Sequence, residues 1–163
     1  MEPEIKTEII YEDKKNNISS LISINNCEIA IIFKNRIVIF YNIEKKQEIK
    51  MLKISGKANI NLLDNSLIFN DYLYISLFDS MVKININTRE INKKFNFRLT
   101  KIYIFHNDIF GINNNCAYKI NEKDNDLDII FEDILPIKCL YKTNKKQMIL
   151  CTDKQINCLE SDN

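Results

Sequence analysis

Apolar and polar residues alternate at period two along most of the chain, and the apolar positions are dominated by Ile, Tyr and Phe. Alternation places successive side chains on opposite faces of a pleated strand, and β-branched and aromatic side chains fit that surface. No segment shows the three-and-four spacing of a long amphipathic helix. The pattern predicts strands over 28–33, 36–43 and 47–54, joined by turns at Lys34-Asn35 and Glu44-Lys45-Lys46. The same order returns over 72–78, 81–86 and 90–97, with turns at Asp79-Ser80 and Asn87-Thr88-Arg89. It returns again over 108–112, 116–120 and 127–131, around Asn113-Asn114-Asn115 and a polar loop over 121–126. A shorter copy covers 147–151 and 155–159.

Each copy is preceded by one more short strand: 18–24; 67–70, with 59–63 before it; 101–106; and 137–142. The matching residues Ile43, Ile86, Ile120 and Leu159 are about 34 to 43 residues apart, the period of a repeat whose unit is one four-stranded sheet. Asp79-Ser80-Met81-Val82-Lys83-Ile84 resembles the tight turn and third strand of a WD40-like repeat, and Asn85-Ile86-Asn87-Thr88 resembles the turn after it. Tyr41-Asn42-Ile43 stands where that family often carries Trp-Asp. The chain departs from the family in having no Trp-Asp, no Gly-His and almost no glycine at its hairpin turns. Asn35, Asn70, Asn107 and Asn113 to Asn115 can take the left-handed conformation that glycine would otherwise supply.

The resemblance implies an all-β, β-propeller-like fold of about four short four-stranded blades. The expected repeat units cover 18–54, 59–97, 101–131 and 137–159 of a single domain over 1–163. The last unit is one strand short, and 4–12 alternates Ile5, Thr7, Ile9 and Tyr11 with polar neighbours. That segment is expected to be able to complete the last blade. A ring left open would expose strand edges and apolar surface.

Composition changes this picture little. A 163-residue chain can bury a sizeable core, and 45% hydrophobic with 28% charged residues is ordinary for a globular protein. The bias toward Ile, Asn and Lys reads as codon bias acting on a tolerant sequence. A net charge of +1 provides no long-range field toward nucleic acid, so any RNA contact would be local, and no DNA partner is expected. Met1-Glu2-Pro3-Glu4 lacks the positive start of a secretory signal, and no apolar run is long enough to span a membrane. Cys27, Cys116, Cys139, Cys151 and Cys158 are odd in number and include no Cys-x-x-Cys pair, against both a disulfide framework and a zinc knuckle. A reducing cytoplasm is the expected location, and buried small hydrophobes the expected role of the cysteines.

The groups that carry chemistry are sparse. His106 is the chain's single histidine and falls at a strand end before Asn107-Asp108, where it reads as a turn residue rather than a general base. Two glycines, Gly56 and Gly111, cannot build a phosphate-binding loop, and Gly111 inside a strand marks a bulge or close packing. Acidic residues alternate from Glu122 to Asp128 like the start of a calcium loop. The pattern then fails, with Ile129 in place of the turn glycine and Leu135 in place of the last bidentate Glu. A solvated hairpin loop is the simpler reading. No catalytic residue, metal site or cofactor is expected.

Lysine pairs recur near turns. In a propeller, turns of one kind gather on one face, so Lys45, Lys46 and Arg89, with Lys145 and Lys146, could form a rim that touches phosphates or a partner. The expected function is a non-catalytic interaction module, a subunit or bound factor of a large intracellular assembly with protein partners. The alternative is a ribosome-associated hibernation or dormancy factor that contacts ribosomal proteins and rRNA and occupies a tRNA or mRNA site. Its near-neutral charge weighs against that alternative.

Overall fold

The computed structural model describes residues 8–56, 66–143 and 147–160, and over them the chain is all-β. It divides into two compact units, 1–59 and 60–163. The strand expected over 59–63, Lys145 and Lys146, and residues 4–7 of the expected closing strand lie outside the described residues.

The first unit holds one antiparallel sheet in sequence order: β1 (Ile18–Ser23), β2 (Glu28–Phe33), β3 (Ile37–Asn42) and β4 (Gln47–Lys53). Ile31, Phe33, Ile39 and Tyr41 form a buried cluster on one face of its central strands, with Tyr11, Ile29 and Ile37 against it. Tyr11 makes an edge contact with Tyr41 at 5.3 Å between centroids and a tilted one with Phe33 at 6.3 Å. The Tyr41 hydroxyl donates to the Ile10 carbonyl at 2.6 Å. Residues 8–12 therefore lie on the first sheet without forming a strand, and the fourth sheet, described below, has three strands among the described residues. Of the expected closing strand 4–12, the described part, 8–12, is thus not a strand. The reason is local: aromatic packing by Tyr11 and the Tyr41 bond hold the segment where it is.

The second unit holds three sheets, each again in sequence order. The second sheet of the chain comprises β5 (Ser66–Phe69), β6 (Tyr72–Ser76), β7 (Met81–Asn85) and β8 (Glu90–Phe95). The third comprises β9 (Lys101–Phe105), β10 (Asp108–Asn113), β11 (Cys116–Asn121) and β12 (Asp126–Glu132). The fourth comprises β13 (Ile137–Lys142), β14 (Gln147–Thr152) and β15 (Ile156–Glu160). These sheets stack face to face as blades. Tyr74, Met81 and Phe95 meet Ile109, Ile120 and the linker residue Leu99 in one buried layer. Phe105, Phe110, Ile112 and Ala117 meet Ile137, Leu140, Met148 and Leu150 in the next. The period-two pattern of β10 accounts for both layers, because Ile109 faces one neighbouring sheet while Phe110 and Ile112 face the other.

The turns show how a glycine-poor chain makes tight hairpins. Asn70-Asp71 and His106-Asn107 are two-residue loops with positive φ at both positions (47°, 62°; 48°, 65°), the geometry of a type I′ turn. After the third strand of each four-stranded sheet comes one turn design. Asn42, Asn85 and Asn121 each accept a backbone N–H through Oδ1: from Lys45 at 2.7 Å, from Thr88 at 2.9 Å and from Asp124 at 3.3 Å. Four residues on, Lys46, Arg89 and Asn125 take positive φ (50°, 54°, 59°). The pairing with the fourth strand then shifts register once in each of these three sheets. Of the asparagines expected to be left-handed, Asn70, Asn107 and Asn114 are. In the β2–β3 turn it is Arg36, at φ 66°, rather than Asn35.

Gly111 reflects close packing and no bulge, since its pairing to both neighbouring strands is regular. A Cβ at Gly111 would stand 2.3 Å from Leu99 Cδ1. Leu99 is itself held through its backbone. Its carbonyl accepts from the buried Ser76 hydroxyl at 2.5 Å, and its N–H donates to the same oxygen at 3.3 Å.

Candidate interaction surfaces

The residues expected to form a basic rim are distributed as follows. Lys45 is exposed on the β3–β4 turn of the first unit. Lys46, beside it, pairs with the Glu8 carboxylate, and that hydrogen bond raises its pKa. Arg89 occupies the equivalent turn of the second sheet, in the second unit, and is half-buried; its Nη1 reaches the Asn87 carbonyl of its own turn at 3.4 Å.

The chemistry the structure does assemble lies in the second unit, in a cleft of about 640 Å³ between the second and third sheets. Glu122, in the β11–β12 turn, reaches across to the second sheet. Its carboxylate accepts from Lys83 Nζ at 2.5 Å and from the Tyr74 hydroxyl, and its backbone carbonyl accepts from Lys93 Nζ. The Lys83 ammonium also lies 4.1 Å from the centre of the Tyr72 ring, a cation–π contact. Burial alone would raise the Glu122 pKa, but the hydrogen bonds from Lys83 and then Tyr74 outweigh it and hold the carboxyl below its ordinary range. Burial, then the same bond, pushes the Tyr74 hydroxyl up. Sequence reading placed Glu122 in a solvated acidic loop. Its partners Lys83 and Tyr74 are 39 and 48 residues away, and alternation within one loop carries no trace of them.

A second cleft, about 400 Å³, lies between the third and fourth sheets and is bordered by His106, Asp108, Lys119 and Cys158. The Asp108 carboxylate is taken by Lys119 at 2.7 Å. His106 is a turn residue, as expected, with its ring edge-on to Phe105 at 4.2 Å. In the acidic loop Asn121 Nδ2 donates to Asp124 at 2.8 Å, so the loop bonds to itself. Among the described residues no three His, Cys, Asp or Glu side chains gather as metal ligands.

Sequence reasoning also missed Arg36. Only 2% exposed, it donates through Nη1 to the Ser55 carbonyl at 3.0 Å and fills the space a side chain at Gly56 would take. Gly56 itself sits at φ 141°, a conformation open to glycine.

The last sheet offers surface of another kind. Among the described residues no strand pairs with the outer edge of β15. Leu140 and Leu150 pair across one face into the core, so their neighbours Tyr141 and Cys139 point to the other. Tyr141 is 67% exposed, and Ile156 on the edge strand 75%.

No protein-family model matches the chain, and no curated protein matches its sequence. Solved structures do match. The WD40 repeats of RRP9 align at a TM-score of 0.67 and 10% identity, covering 90% of this chain and 49% of that one. A chain of the mitotic checkpoint complex aligns at 0.68 and 10%, covering 90% and 48%. The extracellular domain of the one component system BT4673 from B. thetaiotaomicron aligns at 0.69 and 13%, covering 91% and 22%. The chain thus spans about half the length of the WD40 repeats it resembles. Identities this low establish architecture alone, and the architecture is that of β-propeller repeats of the WD40 type.

Proposed function

We propose that the chain is a non-catalytic interaction module, a subunit or bound factor of a larger intracellular assembly, and that it docks protein partners. The observation that carries this reading is the last sheet, whose edge strand β15 has no further strand paired to it among the described residues, with Tyr141 and Ile156 exposed. Edges and large exposed apolar groups favour cover by another protein. The shared fold adds support, since one of the matching structures is a part of the mitotic checkpoint complex. Non-catalytic action is supported by the engagement of the polar groups in the clefts: Glu122 by Lys83 and Tyr74, Asp108 by Lys119.

The ribosome-bound dormancy reading draws less support. It needs lysine and arginine side chains that reach phosphates, whereas Lys46 is paired with Glu8 and Arg89 bonds back to its own turn. Sedimentation of native extract at low and high salt separates the two. Co-migration with large protein complexes that persists in salt, and is lost in Tyr141→Lys with Ile156→Lys, is the expected result. Co-migration with ribosomal subunits that high salt abolishes would instead establish the ribosomal reading. Migration as a free chain under both conditions would overturn both.

A further inference from the structure

Three of the five cysteines lie in the last sheet, and the register brings two of them face to face. Cys139 of β13 is paired with Cys151 of β14, in a hairpin whose next pair, Leu140 with Leu150, points into the core. Side chains alternate, so both thiols stand on the opposite face, with Tyr141 and Ile156. Both are partly accessible and carry free thiols. The pairing shifts register between Ile137 and Cys139, so the strand carries an irregularity immediately before the first of them. We propose that Cys139 and Cys151 form a modification site, a cross-strand dithiol that a small-molecule disulfide oxidises reversibly to an intramolecular disulfide.

The chemistry balances with that oxidant. One cysteine, as thiolate, attacks the disulfide RSSR, joins one sulfur in a mixed disulfide and releases RS⁻, which takes up a proton. The second cysteine loses its proton and attacks the protein sulfur of that mixed disulfide. The Cys139–Cys151 bond closes, the remaining RS⁻ leaves and is protonated, and two electrons and two protons have passed from the pair to RSSR, now two RSH.

Directly opposed residues on antiparallel strands hold their Cβ atoms about 4.5–5.5 Å apart, while a relaxed disulfide needs about 3.5–4.5 Å. Closure must draw the strands together, and the irregularity beside Cys139 allows it. A bond closed under strain is readily reduced, as a reversible site requires. Burial, followed by hydrogen bonding to the Cys139 thiol, raises the Cys151 thiol above its ordinary range, so exchange is expected to quicken as the solution becomes more alkaline.

The test uses the folded full chain, treated with glutathione disulfide, quenched with an alkylating agent in denaturant and digested with trypsin without reduction. Cleavage at Lys138, Lys142, Lys146 and Lys154 places the two thiols on separate peptides, 139–142 and 147–154, with Cys158 on a third, 155–163. The expected product is the first two peptides linked, two hydrogens lighter than their sum, with Cys158 outside the linkage. It should be unaffected by Cys158→Ser and lost on mild reduction. Cys139→Ser should leave Cys151 as a stable mixed disulfide. Full alkylation of both cysteines in the treated protein, a mixed disulfide that persists in the unsubstituted chain, or a bond that recruits Cys158 would each overturn the proposal.

Discussion

Removing one charge at Glu122 tests whether the polar contact between the second and third sheets contributes to stability. In Glu122→Gln the side chain keeps an oxygen for the Tyr74 hydroxyl but gives Lys83 no counter-charge. The Lys83 side chain is only 12% exposed, so water replaces the carboxylate poorly; Glu122, at 37%, is open enough that screening reduces the effect. A hydrogen bond to a charged group contributes about 1.5–3 kcal/mol, and after that discount the expected loss is about 1–2 kcal/mol. For a chain of this size that lowers Tm by about 2–8 °C. The pH dependence gives the sharper test. The folded-state pKa of Glu122 lies below its ordinary value of 4.5, so its contribution is complete above 4.5 and is lost as pH falls through the folded value. Thermal melts of both proteins at neutral pH and in acid should show a gap that closes in acid, once the native side chain is also protonated. A gap of equal size at both pH values, or none at neutral pH, would refute the reasoning.

Gly111→Ala would place a methyl 2.3, 2.8 and 2.9 Å from Leu99 Cδ1, Cδ2 and Cγ; it should cost about 1–3 kcal/mol in urea denaturation, and combined with Leu99→Ala less than the sum of the two single losses. Tyr11→Ala should weaken the first unit by about 1–2 kcal/mol through the lost contacts with Tyr41 and Phe33, as read by chemical denaturation, whereas an unchanged midpoint would show that residues 8–12 add nothing to that sheet. Burial foremost pushes Tyr11 and Tyr118 up to about 12 from an ordinary 10.0, and Tyr74 is raised too. The unfolded chain ionises first, so their contribution is complete below pH 10 and is lost above it. Tyrosinate absorbance should accordingly rise together with unfolding.

Strand positions were legible because alternation is a local signal. The predicted strand 28–33 coincides with β2, 137–142 with β13, and the other strands in the described residues lie within about two residues of expectation. The repeat was legible for the same reason, since each blade restarts the same sequence of strands and turns. Asn70, Asn107 and Asn114 could be picked as left-handed because a short amide side chain tolerates that conformation. His106 was legible as a turn residue from its position before Asn107-Asp108.

Tertiary structure decided what depends on distance in space. Tyr11 alternates like a strand residue, yet aromatic packing on Tyr41 and Phe33 holds its segment outside any sheet, a competition the local pattern cannot register. Glu122 reads as one acid among several; the stacking of one blade on the next makes it the partner of Lys83 and Tyr74. The pairing of Cys139 with Cys151 depends on a strand register that a single-residue slip would change, so it exists only once the hairpin is in place. The sequence by itself determined the strands, the repeat and most of the turns, because these follow from side-chain alternation and backbone preference. Which charges meet and which thiols face each other were settled by the packing and pairing of strands whose contacting residues lie far apart in the chain.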